Sequence, residues 1–293
     1  MDNRARLYKP TRARDLLAEG RAALGRAAGA EANLEAEVLL RDILDQERAS
    51  FFANLDEQVT ALNVALYHEL LNRRQQGEPV AYILGYKEFY GREFVVNKGV
   101  LIPRPETELL VERAVKLLTA KGLAAGRLVD VGTGSGVIGL TLALELPALQ
   151  VTAVDLSEAA LYVAFTNRDK FGLKERVPLL TSDLLAAVAG PVDALVTNLP
   201  YTILGEIEPA VLISEPWLAL SGGGGDGFGL YRRFLEEAWF KLKPGGLIAA
   251  EIGYNQGSLA ATFARDLWPE ARVEIAQDYA GHDRMLIVET EAE

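Results

Sequence analysis

The chain has 293 residues, 49% of them hydrophobic, and carries a formal charge of −11. That length allows one large domain or two ordinary ones around sizeable cores, and the acidic balance weighs against a protein that holds nucleic acid through phosphate contacts. There is no cysteine, which excludes disulfides, thiolate metal sites and a cysteine nucleophile.

The first stretch, "MDNRARLYKPTRARDLL", is charged and lacks the apolar centre of a secretory signal, so the expected location is cytoplasmic. Apolar runs are strand-length, short of the roughly 20 residues that span a bilayer, and no membrane partner is expected. From Pro10 to about Gln76 apolar residues recur at three- and four-residue spacing, as in "EAEVLLRDIL" and "VTALNVALYHELL", which predicts helices. A helical domain is placed over 1–78, with the break at "QQGEPVAY" punctuated by Gly77 and Pro79. "EFYGREFVVNKGVLIP" then alternates, with Gly91 and Gly99 at turn positions, and reads as a hairpin within a linker over 79–105.

The third segment, 106–293, opens with a helix over about 106–121 and continues strand, helix, strand, helix: "RLVDVG", "VIGLTLALEL", "QVTAVD", "EAALYVAFTNRDKFG", "VPLLTSD", "VDALVTN". This alternation predicts an α/β fold, a doubly wound Rossmann-like parallel sheet covered by helices. "GGLIAAEIG" adds a strand, and "ARVEIAQD" with "RMLIVET" forms an antiparallel pair at the end of the sheet. "SGGGGDGFG", 221–229, reads as a mobile loop rather than a phosphate cradle, because no Lys-Ser or Lys-Thr follows it.

Two places carry chemistry. "VDVGTGSGVIGL" sets Gly132, Thr133, Gly134, Ser135 and Gly136 between a strand and a helix, where glycines let the backbone approach a ligand and amides at the helix start favour acceptor-rich groups. Asp155 ends the next strand, about 20 residues on, where an acid can bind ribose hydroxyls. The loop suits a nicotinamide dinucleotide or S-adenosylmethionine equally. Asp183 either accepts from an adenine amino group or caps a helix over "LLAAVAG". The second place is "VTNLPYT", 196–202, at a strand end. Its Asn198 side-chain oxygen and a main-chain carbonyl near Pro200 can each accept one hydrogen of an NH2 group, while the Tyr201 ring packs on a flat face. Held so, a nitrogen can be lined up with the methyl of a sulfonium, and positioning alone can supply about 7–11 kcal/mol. No metal or histidine base is required; His68 reads as surface and His282, in "AGHDRM", as a turn residue.

The glycine loop, Asp155, Asp183 and Asn-x-Pro-Tyr together resemble the S-adenosylmethionine-dependent methyltransferases that act on amino groups. "EPVAYILGYKEFYG", "VLIPRPETELLVE", "SEPWLAL", "GGDGFGLYRRF" and "AGHDRML" narrow the resemblance to the PrmC/HemK family of release factor glutamine (N5-glutamine) methyltransferases, over nearly the whole chain. The resemblance implies methyl transfer to the Gln of the Gly-Gly-Gln motif of class I peptide-chain release factors, with S-adenosyl-L-methionine as cofactor and S-adenosyl-L-homocysteine as product. It implies Gly132 to Gly136, Asp155, Asp183, Leu184, Asn198 and Arg104 at the cofactor; Asn198, Leu199, Pro200, Tyr201 and Glu106 at the target amide; and Asn198, Pro200 and Tyr201 as the catalytic set. The helical domain would hold the release factor, and the enzyme would act as a monomer without direct nucleic-acid contact. The family usually reads Asn-Pro-Pro-Tyr, whereas Leu199 stands at the second position here. Asn-Leu-Pro-Tyr is similar to the motif of rRNA adenine dimethyltransferases, so a nucleic-acid adenine or cytosine amino methyltransferase is the alternative. A non-catalytic cofactor-binding protein and a dehydrogenase are weaker readings.

Overall fold

The computed structural model describes residues 11–25, 31–203, 205, 207 and 209–292. The chain divides into two compact units, Met1–Gly85 and Tyr86–Glu293; the N-terminal start of the helical reading, Pro10 included, lies outside the described residues.

In the first unit the described helices are α1 (Ala13–Leu24), α2 (Ala32–Leu44), α3 (Arg48–Ala53), α4 (Ala61–Gln75) and α5 (Val80–Leu84). The helical spacing turns Leu16, Leu17 and Leu24 of α1 and Leu39 and Leu40 of α2 inward, onto Phe51, Tyr67, Leu71 and Ile83. Each such apolar side chain contributes about 1.5–3 kcal/mol on burial. Tyr67 reaches across the unit and donates from its hydroxyl to the Ala36 carbonyl at 3.0 Å, which satisfies the one polar atom on a fully buried ring. Thr60 caps α4 by accepting from Asn63 N at 3.2 Å.

The second unit begins with the hairpin β1 (Tyr86–Phe89) and β2 (Arg92–Val95). The main strands are β3 (Arg127–Val131), β4 (Gln150–Asp155), β5 (Leu179–Thr181), β6 (Val192–Thr197), β7 (Leu242–Glu251), β8 (Arg272–Gln277) and β9 (Asp283–Glu289). They form one sheet in the order β5-β4-β3-β6-β7-β9-β8, parallel from β5 through β7, with β9 antiparallel to both of its neighbours. The helices are α6 (Pro105–Ala120), α7 (Val137–Glu145), α8 (Glu158–Lys170), α9 (Pro209–Ser214), α10 (Gly229–Lys241) and α11 (Gly257–Leu267). Because strand side chains alternate, Leu128, Ala194, Leu247 and Ile287 enter one core, while Val129, Leu195, Ile248 and Leu286 enter the other. Both faces are buried, which is why the strands read as continuous apolar runs.

The chain runs outward from β3 through β4 to β5, then returns to the opposite side of β3 as β6. The reversal leaves a crevice beyond the carboxyl ends of β3 and β6, the place where open α/β sheets bind ligands. Both sequence motifs start there.

Candidate active site

Val131 and Thr197 are register partners at the ends of β3 and β6. The glycine loop and Asn198 therefore leave neighbouring strands side by side. Thr197 Oγ1 donates to the Val131 carbonyl at 2.7 Å, fully buried, and reinforces that junction.

The loop is fixed from beneath and from the side. Asp130, fully buried, accepts from Thr133 Oγ1 at 2.6 Å and from Gly139 N at 2.9 Å. Burial pushes its carboxyl up to about 6, against the pull of those two donors. Gly132, Gly134 and Gly136 have φ of 68°, 58° and 86°, a region that L side chains avoid, and a Cβ on Gly132 would lie 3.0 Å from Leu199 Cδ2. Asp155, at the end of β4, accepts from Gly134 N at 2.9 Å and from Ser157 N at 2.9 Å. Burial raises its carboxyl, while these amides pull the other way.

Arg104, Gly132 to Ser135, Asp155, Asp183, Leu184 and Asn198 to Pro200 line one cleft. Gly136, Tyr201 and Glu106 are not among its lining residues. Gly136 is the N-cap residue of α7. Glu106 is exposed in the first turn of α6 and borders a neighbouring cavity with Tyr90 and Tyr279. Arg104 donates to Glu215 Oε1 at 2.6 Å, and Ile102 N donates to Glu215 Oε2 at 3.2 Å, so a buried carboxylate clasps the segment before α6 to the one after α9. Asp183 accepts from Arg233 at 2.8 Å. It caps no helix: no regular helix forms over 184–190, and the turn is held by Ser182 Oγ, which accepts from Ala187 N at 3.0 Å.

Asn198 is half-buried, and its Nδ2 donates to Thr107 Oγ1 at 3.1 Å. The Thr107 hydroxyl in turn donates to Glu251 Oε2 at 2.7 Å. Tyr201 donates from its hydroxyl to Glu251 Oε1 at 3.3 Å, and its carbonyl accepts from Gln256 Nε2 at 3.1 Å. Burial, then the Glu251 charge, raise the Tyr201 hydroxyl well above the usual tyrosine range. Leu199 turns into the core beside Val129, Val131 and Tyr231.

Residues 221–229, read as a loop, are joined to their neighbours by hydrogen bonds. Gly222 N donates to Thr202 O at 3.2 Å, Leu230 N donates to Gly222 O at 2.9 Å, and the Asp226 carbonyl accepts from Gln256 Nε2 at 3.3 Å. The glycines permit close approach to the Tyr201 backbone: a Cβ on Gly222 would lie 1.9 Å from Gly227 O and 2.8 Å from Tyr201 Cα. Gly222→Ala is expected to destabilise the second unit by about 1–3 kcal/mol, seen as a lower thermal midpoint; an unchanged midpoint would mean the loop yields without cost.

Thr107, Glu215, Glu251 and Gln256 are not named individually by the sequence reading, although Thr107 lies within "VLIPRPETELLVE" and Glu215 within "SEPWLAL". Glu251 carries a signal of its own: it is an acid at the carboxyl end of a strand, the same pattern that draws attention to Asp155. Neither histidine is among the residues that line the cleft: His68 stands against Glu19 at 3.1 Å in the first unit, and His282 is in the β8–β9 turn, where its N donates to Asp278. Among the described residues no cluster of three or more His, Cys, Asp or Glu could hold a metal ion, and no helix is long and apolar enough to cross a membrane.

A seven-stranded sheet of this order, with a glycine loop after its first strand and Asn-Leu-Pro-Tyr after its fourth, defines a Rossmann-like methyltransferase. Two family matches agree: the PrmC N-terminal domain over residues 15–85 and the methyltransferase small domain over 105–214. The chain is 41% identical over 257 residues to the release factor glutamine methyltransferase of Moorella thermoacetica, covering 87% of this chain and 90% of that protein. It is 38% identical over 267 residues to that of Bacillus subtilis, covering 88% and 91%. Among solved structures it is similar in fold to a methyltransferase from Pyrococcus furiosus, with a TM-score of 0.54 at 18% identity, covering 76% of this chain and 98% of that one. The chain belongs to the release factor glutamine methyltransferase family.

Proposed function

We propose that this protein transfers the methyl group of S-adenosyl-L-methionine to the side-chain amide nitrogen of the glutamine in the Gly-Gly-Gln motif of class I peptide-chain release factors, within translation termination. The observation that carries the reading is the register of Val131 with Thr197, which puts a glycine loop and an amide-bearing Asn-Leu-Pro-Tyr at one crevice. The relatives of Moorella thermoacetica and Bacillus subtilis are named release factor glutamine methyltransferases, which supports the substrate class.

The cleft fits an adenosyl cofactor. A Cβ on Gly134 would meet nothing within 4 Å, so the loop backbone is open to a ligand. Each Asp155 oxygen takes one amide, and a carboxylate oxygen has capacity for a second donor such as a ribose hydroxyl. Leu184, Asp183 and Arg104 line the same cleft; Leu184 and Asp183 would hold the base, and Arg104, paired with Glu215, would face the cofactor carboxylate. The cofactor supplies an electrophilic methyl on a sulfonium.

The protein's own part is to hold the nitrogen. Asn198 Oδ1 and the Pro200 carbonyl accept the two N–H hydrogens and fix the amide plane, leaving the nitrogen's face toward the glycine loop. Orientation of this kind is worth about 7–11 kcal/mol, so no metal or nucleophilic side chain is called for. Tyr201, tied to Glu251 and Gln256, sets the path of the main chain at Pro200. The helical unit serves to hold the release factor.

The test is transfer of labelled methyl to purified release factor, beside the same factor with its Gly-Gly-Gln glutamine changed, and beside ribosomal RNA. Label on the unaltered factor alone is the expected result. Label on RNA would overturn the reading in favour of an adenine-directed enzyme.

A further inference from the structure

Asn198 has a side chain with two unlike ends, and only one of them can accept a hydrogen. Which end meets the substrate is decided by Thr107, in the cleft wall, and by Glu251 behind it. Glu251 ends β7, is 1% exposed, and when ionised can only accept. It accepts from Thr107 Oγ1 at 2.7 Å. A threonine hydroxyl has one hydrogen, so with that hydrogen committed to Glu251 only lone pairs remain for Asn198. Asn198 must then present Nδ2 to Thr107, as it does at 3.1 Å, and its Oδ1 is the end left for the cleft. A hydroxyl with a neutral partner could serve either end of the amide. The carboxylate removes that choice.

We propose that Thr107 and Glu251 are positioning residues that fix the polarity of the Asn198 amide, so that the cleft presents an acceptor and selects a group bearing N–H over the carbonyl end of the same amide. This rests on the glutamine-methylating reading above and adds to it the origin of the choice of nitrogen over oxygen.

The surroundings of Glu251 support the assignment. Tyr201 donates to its other oxygen at 3.3 Å, and the Tyr231 hydroxyl donates to its main-chain carbonyl. Arg284 of β9 favours the ionised form, while Glu106 of α6 and burial oppose it. Burial is the largest influence, and the carboxyl is raised above its ordinary value. As pH falls through that raised value, Glu251 gains a proton and can itself donate to Thr107, which frees the Thr107 hydrogen for Asn198 Oδ1. The amide can then reverse. Methyl transfer is therefore expected to fall on the acid side and to be restored as pH rises.

The full chain would be compared as T107V, T107S and E251Q, with methyl transfer to purified release factor, cofactor affinity by calorimetry, and the Asn198 side-chain amide followed by NMR on nitrogen-labelled protein. T107V is expected to lose up to about 100-fold in kcat, the scale of a misplaced reacting group, with cofactor affinity unchanged. T107S keeps the hydroxyl and is expected to recover most of the loss. E251Q, able to donate at every pH, is expected to have a lowered kcat, and an acid limb that persists belongs to Asp130 and Asp155, whose carboxyls burial also raises. Wild-type kcat in T107V, no recovery in T107S, or wild-type kcat in E251Q would each overturn the relay. The amide signal needs no substrate: Asn198 Nδ2 hydrogens should exchange slowly in the unaltered protein and in T107S, and quickly in T107V. Fast exchange in the unaltered protein overturns the relay, whereas slow exchange together with an absence of transfer to release factor counts against the proposed substrate and leaves the relay standing.

Discussion

Asn198→Ala is expected to lower methyl transfer by at least about 10²–10³-fold, the scale of losing one preorganised polar partner at a reacting group, while cofactor affinity stays near that of the unaltered enzyme. The division follows from the sheet. Asn198 leaves β6 and is held by Thr107, whereas the glycine loop leaves β3 and is held by Asp130 and Asp155. The truncation removes the proposed acceptor for the target nitrogen and leaves the Thr107 hydroxyl bonded to Glu251. It disturbs no hydrogen bond of the glycine loop. Calorimetry with S-adenosylmethionine, beside single-turnover methyl transfer, separates the two effects. A loss of cofactor affinity as severe as the loss of activity would move Asn198 to the cofactor side of the cleft.

Asp155→Ala is the second large effect, and it has the opposite signature. Its carboxylate holds Gly134 N from the loop and Ser157 N from the start of α8, so removal takes away the proposed ribose acceptor and also loosens the backbone that would cradle the cofactor. Hydrogen bonds to a charged group are worth about 1.5–3 kcal/mol each, and the loss of one such bond in binding corresponds to a cofactor Kd raised about 10- to 100-fold. With cofactor in large excess, kcat should recover much of its value, because Asn198 and its supports are untouched. Asp155→Asn keeps one acceptor oxygen and should fall between. An Asp155→Ala protein that binds cofactor as tightly as the unaltered one would exclude Asp155 from the cofactor site.

Much of the fold can be read from the chain. The strands β3, β4, β6 and β7 announce themselves because a doubly covered parallel sheet demands runs such as "DALVT" and "LIAAE". The antiparallel pair β8–β9 follows from the absence of a crossover helix between its strands. Gly132 to Ser135, Asp155 and Asn198 were visible as residues whose chemistry matches a strand-end position. The close packing of the 221–229 loop is not legible in the sequence, because a glycine run signals conformational freedom equally when the loop is free and when the backbone must pass within contact of another segment. Here it does the latter, against Tyr201. Asp183 kept two readings for a related reason: a turn that Ser182 closes and a helix that Asp183 begins look alike until the backbone is seen.

The sequence by itself determined the alternation of strands and helices, the glycine loop, and the kinds of groups offered at strand ends, because these depend on periodicities of two and 3.6 residues and on backbone permissions within a few positions. Tertiary structure alone decided which groups meet. Asn198 touches Thr107, 91 residues earlier, and Thr107 touches Glu251, 144 residues later. Those separations are closed by the return of the chain across the sheet, from β5 on one side of β3 to β6 on the other and then to β7. A hydrogen bond is defined by distance and direction in space, and spacing along the chain carries no trace of it once the partners lie on different strands and helices.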